Sequence, residues 1–260
     1  KIMAATLLET MREHMKELKL KAMSQIFEEE AEKAAKSNLS YTEYLARLLS
    51  AEVVRKVDAS INTKINKARF PRQCTLESFD FDFQPELNAK QVKELANLNF
   101  IEKKENVIFM GPPGVGKTHL AISLGIKACM ARMRVLFLTA SELLDHLYAS
   151  LADMSTAAKL ESLARLHLLI IDELGYMPID KQGANLFYQL INRRYETGSI
   201  ILTTNLPFDR WDSIFGDPII SSAIIDRLVH HCHIFKINGN SYRVKDKLNP
   251  SSDGNNKKKE

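Results

Sequence analysis

Apolar residues along the chain follow two different rhythms. From Ala4 to about Lys67 there is no Gly and no Pro, and Leu7, Met11, Met15, Leu18 and Met23 recur at steps of three to five residues. That spacing marks one face of an α-helix. A polar break at Ser37-Asn38-Leu39-Ser40 precedes a second periodic segment. Ser40 or Thr42 is its candidate N-cap, and Leu45, Leu48, Leu49, Val53 and Val57 are its expected apolar face. The pattern stops at Phe70-Pro71, where proline cannot extend a helix and biases the preceding residue toward extended backbone. Residues 1–70 are therefore expected to form a small all-α domain.

From Val107 onward short apolar runs alternate with helical stretches: Val107–Met110, Val135–Leu138, Leu168–Ile171, Ile200–Leu202 and Ile234–Ile237. Consecutive apolar residues, rather than every second one, suit strands buried on both faces of a parallel sheet. Alternation with helices predicts an α/β fold, a doubly wound parallel sheet flanked by helices, over residues 71–246. The tail, 247–260, contains Asn-Pro-Ser-Ser-Asp-Gly-Asn-Asn followed by three lysines, has almost no apolar content, and is expected to be disordered.

Composition narrows this picture modestly. With 45% apolar residues over 260 positions the chain can bury a full core. A net charge of +4 permits nucleic-acid contact without demanding it. Three scattered cysteines, Cys74, Cys129 and Cys232, argue against a disulfide framework and for a reducing, cytoplasmic setting. No apolar run is long enough to span a bilayer, so no membrane role is expected.

The chemistry is concentrated in Gly111-Pro112-Pro113-Gly114-Val115-Gly116-Lys117-Thr118, followed by His119. It lies between a predicted strand and a predicted helix, the context a phosphate-binding loop requires. Glycines let backbone N–H groups turn toward phosphate oxygens, and the helix N-terminus faces the same charge. Lys117 is then expected to reach the β- and γ-phosphates, and Thr118 to ligate Mg²⁺, which takes hard oxygen donors. The strand Leu168–Ile171 ends in Asp172 and Glu173, a second magnesium ligand and a base for the attacking water. Asn205, at the end of Ile200–Leu202-Thr203-Thr204, is a candidate γ-phosphate sensor. No guanine-reading Asn-Lys-x-Asp sequence occurs, which favours ATP.

Together the loop, the Asp-Glu strand end, Thr203-Thr204-Asn205 and Ser241-Tyr242-Arg243 resemble AAA+ ATPases of the DnaA/DnaC branch. The segments 172–178, 186–189, 192–195 and 222–228 narrow the resemblance to the IstB family, ATPase helpers of insertion-sequence transposases. Leu18–Leu20, Tyr44-Leu45, Phe70-Pro71 and Phe79–Phe81 extend it into the amino-terminal part. The resemblance implies ATP hydrolysis with Mg²⁺, with Arg227 as an arginine finger completing a neighbouring subunit's site and Arg193 or Arg194 as alternatives. It further implies Arg243 as a second sensor within its own subunit. Self-assembly into a spiral or ring follows from a finger supplied in trans. Duplex DNA and the transposase of the same element are the implied partners. A DnaC-like helicase loader is the alternative, against which the first domain lacks a cysteine-rich zinc module.

Two candidate DNA surfaces remain. Residues 141–166 exceed one crossover helix and resemble the initiator-specific insertion, pointing to Lys159 and, less directly, Ser155 and Thr156. Arg55, Lys56, Lys64, Lys67, Arg69 and Arg72 form a basic stretch opposed by Asp58, suited to sequence-independent phosphate contact. His230-His231-Cys232-His233 is read as strand, which would send neighbours to opposite faces. With no second ligand cluster in the sequence, zinc is not expected there.

Overall fold

The computed structural model describes residues 2–244, so the tail expected to be disordered lies outside the described residues. The chain divides into two compact units, Lys1–Thr63 and Lys64–Glu260.

The first unit consists of α1 (Ile2–Glu17), α2 (Lys21–Lys36) and most of α3 (Tyr41–Ala68). The unbroken periodicity through Leu18 hides a turn: Lys19 is left-handed at φ 57°, and Leu20 N–H donates to the Met15 carbonyl at 2.7 Å. A lysine rather than a glycine holds this position, so no punctuation marked it. At the second break Ser40, not Thr42, caps α3. Its Oγ accepts from Glu43 N–H at 3.2 Å while the Glu43 carboxylate accepts from Ser40 N–H at 2.8 Å, a reciprocal capping box.

The expected apolar face of α3 is not the buried one. Leu48 is buried, but Leu45, Leu49 and Val53 are 50%, 49% and 59% exposed. The inward stripe instead runs through Tyr44, Leu48, Glu52 and Arg55, and hydropathy cannot find a stripe with charges in it. The buried Glu52 carboxylate accepts from the N–H groups of Ala22 and Met23 at 2.7 and 3.2 Å. It thereby caps α2, whose own N-cap residue Leu20 offers no acceptor. Arg55 closes the arrangement with an ion pair to Glu52 at 2.6 Å. Met15, Met23, Phe27 and Leu48 form the small core around it.

The second unit begins with two short helices, α4 (Ala89–Leu95) and α5 (Asn99–Glu102), that the periodicity did not predict. Then β1 (Asn106–Met110), α6 (Lys117–Met130), β2 (Val135–Thr139), α7 (Ala140–Ala152) and α8 (Thr156–Ala164) follow. After them come β3 (Leu168–Leu174), α9 (Lys181–Arg194), β4 (Ser199–Thr204), α10 (Asp212–Phe215), α11 (Pro218–Val229) and β5 (Cys232–Lys236). All strand pairings are parallel, in the order β2-β3-β4-β1-β5. All five predicted strands are present, and residues 141–166 are the two helices α7 and α8 rather than one.

Both sheet faces are covered, which is why the strands read as continuous apolar runs. Val107, Phe109, Leu168, Ile170 and Ile201 pack with α6 and the segment 68–101. Their strand neighbours Ile108, Leu169, Ile171, Ile200 and Leu202 pack with α7 to α11 on the other side. The histidine run differs from its expected strand. His230 caps the end of α11, His231 lies in the following turn, and only Cys232 and His233 enter β5.

Candidate nucleotide site

The loop Gly111–Gly116 leaves the carboxyl end of β1 and enters α6 directly. Gly111 N–H donates to the Thr204 carbonyl at 3.2 Å, fixing the loop's start to the end of β4. Gly114 and Gly116 have φ of 84° and 100°, a region that L side chains rarely adopt. A Cβ at Gly116 would also run into the Phe79 ring, and one at Gly114 into the Ser241 side chain. The loop is thus enclosed from both sequence directions, and Tyr242 N–H donates to the Gly114 carbonyl at 2.9 Å. Val115 is buried beneath it, whereas Pro112 and Pro113 are exposed.

Lys117 is buried, and its ammonium donates to the carbonyls of Gly111 and Pro112 at 2.7 and 2.8 Å. Burial lowers its pKa, while the negative charge of Asp172 works the other way. Thr118 Oγ1 donates to Asp172 Oδ1 at 2.9 Å across the gap between α6 and β3. Thr203 on β4 donates a second hydroxyl to the same carboxylate. Burial raises the Asp172 pKa, and these hydroxyls with the Lys117 charge only partly offset it. A buried carboxylate served by hydroxyls and a nearby ammonium is a hard oxygen cluster. Its donor set fits Mg²⁺, with Thr118 and Asp172 as the residues that would hold it.

Glu173, next in sequence, points elsewhere. Its φ is 62°, its N–H donates to Thr203 Oγ1 at 3.0 Å, and the β3–β4 register shifts between Ile171 and Leu174. This irregularity buries Asp172 while leaving Glu173 exposed. Asn205 follows Thr204, beside the start of the loop, and its Oδ1 is buried without a hydrogen-bond partner among the described residues.

A cleft of about 220 Å³ opens over the loop, lined by Gly114, Lys117, Thr118, Glu173 and Arg243 and walled by Phe79; Asp172 and Asn205 are not among its lining residues. His119 also lines it, with Nε2 at 2.9 Å from the Thr75 carbonyl and 3.2 Å from Ser78 Oγ. Its ring meets Phe79 edge-on, so His119 holds the wall in place. Thr203, Phe79 and Tyr176 lie in segments that carry the family resemblance but had no role assigned to them, and Gln84 carried no signal; Thr203 touches both carboxylate residues.

Arg227, in the last turn of α11, does not line this cleft. Its Nε donates to Asn192 Oδ1 at 2.9 Å and its guanidinium lies 5.0 Å from the Tyr188 ring centroid. Arg194, raised with Arg193 as an alternative finger, is turned into its own subunit. It is 1% exposed and donates to the carbonyls of Leu163, Leu166 and Ser199 at 2.6, 3.2 and 2.7 Å. Arg193 is exposed, near Glu161 at 3.9 Å.

The basic residues separate similarly. Arg55 is engaged by Glu52, Lys56 and Lys67 are exposed, and Lys64 is half-buried. Arg69 and Lys159, read from different parts of the sequence, converge: Arg69 Nη1 is 3.5 Å from His146 Nε2, and Lys159 acts on the same imidazole. Burial and these two cations lower the His146 pKa. No helix is long and apolar enough to cross a membrane among the described residues.

Solved structures share this architecture. DnaA from Aquifex aeolicus bound to AMPPCP is similar with a TM-score of 0.54 at 22% identity, over 68% of this chain and 55% of that one. The DnaC helicase loader gives 0.53 at 20%, over 63% and 96%. These likenesses establish an AAA+ P-loop fold. Sequence relatives are closer. "Insertion sequence IS21 putative ATP-binding protein" of Pseudomonas aeruginosa is 45% identical over 230 residues, 88% of this chain and 87% of the relative. "Insertion sequence IS5376 putative ATP-binding protein" of Geobacillus stearothermophilus is 41% identical over 239 residues, 92% and 95% of the two chains. The profile of the IstB-like ATP binding proteins matches residues 13–250, and the chain belongs to that family.

Proposed function

We propose that the chain hydrolyses ATP, assembles on duplex DNA, and selects or remodels target DNA for the transposase of an insertion sequence. The observation that carries hydrolysis is the division of labour at the end of β3. Asp172 is buried among the Thr118 and Thr203 hydroxyls, while Glu173 is turned out into the cleft by a left-handed backbone. In this reading the N–H groups of Gly114 to Lys117 and the Lys117 ammonium hold the phosphates. Thr118 and Asp172 hold Mg²⁺, which neutralises phosphate charge when bound. Glu173 orients and deprotonates the attacking water, and Asn205, just past the end of β4 beside the loop strand, senses the γ-phosphate by donating its side-chain N–H. Arg243 contacts phosphate within its own subunit, and Arg227 serves a neighbour.

Transposition is supported by the relatives, whose names place them in insertion sequences. DNA contact is supported by Arg69 and Lys159 meeting at one surface. In this reading residues 1–70 bind DNA or partners and drive assembly, and residues 71–246 are the ATPase. The test is ATP turnover and particle size with and without non-specific duplex DNA, at two salt concentrations. Stimulation and large assemblies that fade as salt rises support the proposal, because phosphate contacts release counterions. Turnover and size indifferent to duplex DNA would turn the reading toward a helicase loader.

A further inference from the structure

The packed helices α9 and α11 end side by side, at Arg194 and Val229. The carboxyl end of a helix carries partial negative charge, so two such ends favour a cation between them. Three exposed ligand side chains follow these ends: Glu196 after α9, and His230 and His231 after α11. One ligand atom from each lies within 4.8 Å of the other two. His231 Nε2 is 3.8 Å from Glu196 Oε1, and the two imidazole centroids are 4.1 Å apart.

Tyr195 supplies an independent indication. Its hydroxyl is 2.7 Å from His230 Nδ1. With Nδ1–H donating to that oxygen, the ring carries its lone pair on Nε2. Metal-binding histidines are commonly oriented through a hydrogen bond at the nitrogen that does not ligate. Two imidazoles and one carboxylate suit zinc-like ions far better than magnesium. Zinc bonds of about 2.0–2.2 Å set tetrahedral ligands roughly 3–3.5 Å apart, so closure needs shifts on the order of 1 Å.

We propose that Glu196, His230 and His231 form a surface site for a zinc-class transition metal, with the fourth position open. The sequence concealed it because the carboxylate comes from a different helix and because two of the histidines precede the strand. Bound metal would clip the end of α11, whose last turn carries Arg227, to the end of α9. The site does not depend on the ATPase reading.

The experiment uses the whole chain, stripped with a chelator and kept free of nucleotide and Mg²⁺. Co²⁺ is titrated by visible absorption and Zn²⁺ by calorimetry. One saturable equivalent with tetrahedral Co²⁺ absorption is expected. Glu196→Gln and His231→Gln should each weaken it by about tenfold or more, and Tyr195→Phe by about tenfold. His233→Gln, which removes the imidazole paired with Glu105, should leave it unchanged. All are exposed or half-exposed positions, so circular dichroism should show an intact fold. Absence of a saturable site, or one that survives Glu196→Gln or His231→Gln, would overturn the assignment.

Discussion

Glu173 holds a left-handed conformation that costs a non-glycine residue roughly 1–2 kcal/mol. The strain is retained where its side chain enters the cleft, which argues that the position is kept for chemistry rather than for folding. Glu173→Gly should therefore raise stability by about 1 kcal/mol in urea unfolding while abolishing phosphate release. Glu173→Gln should keep ATP binding and lose turnover by about a hundredfold or more. Undiminished hydrolysis in either variant would remove Glu173 from the role of base. Asp172 presents the opposite balance. Burial raises its pKa, so the folded chain binds a proton more readily than the unfolded one. The stability linked to that proton is complete below the ordinary carboxylate pKa, near 4, and is lost as pH rises through the higher folded value. Asp172→Asn should melt close to the parent at pH 4 and above it at pH 7, while ATP turnover at pH 7 falls by about a hundredfold or more. A variant that melts lower at pH 7 would show that the carboxylate's hydrogen bonds outweigh its burial.

At the level of elements, neighbouring identical residues are separated by helical geometry. Arg193 faces outward from α9, while Arg194 turns inward and joins the end of α8 to the start of β4 through backbone carbonyls. Burial pulls its pKa down to about 10. Arg194→Leu should destabilise the chain by about 2–4 kcal/mol because buried carbonyls lose their donors, whereas Arg193→Ala should change unfolding by less than about 0.5 kcal/mol. Equal effects would contradict this assignment. The five strands were legible because a strand buried on both sides has a simple apolar signature. The inward face of α3 was not, since Glu52 and Arg55 carry it as a charged pair. Lys117, Thr118, Asp172 and Glu173 were readable because loop and strand fix their spacing. Thr203 and Phe79 were not, because their importance arises from β3–β4 register and from chain folding back over Gly116.

For the whole molecule, Arg227 gives the sharpest test of assembly. It is held against α9 by Asn192 and Tyr188 and is absent from the lining of its own cleft. Arg227→Ala and Lys117→Ala proteins should each be nearly inactive alone. A mixture should regain turnover, because an intact site of one can meet an intact arginine of the other; no recovery above the separate proteins would rule out that arrangement. The phosphate loop has a further dependence on distant sequence. Phe79 walls it from one side, and Ser241 with Tyr242 closes it from the other. During synthesis the loop therefore leaves the ribosome long before its enclosure can form, and a nascent chain stopped short of Ser241 would carry the whole phosphate-loop motif yet have no finished place to hold a nucleotide.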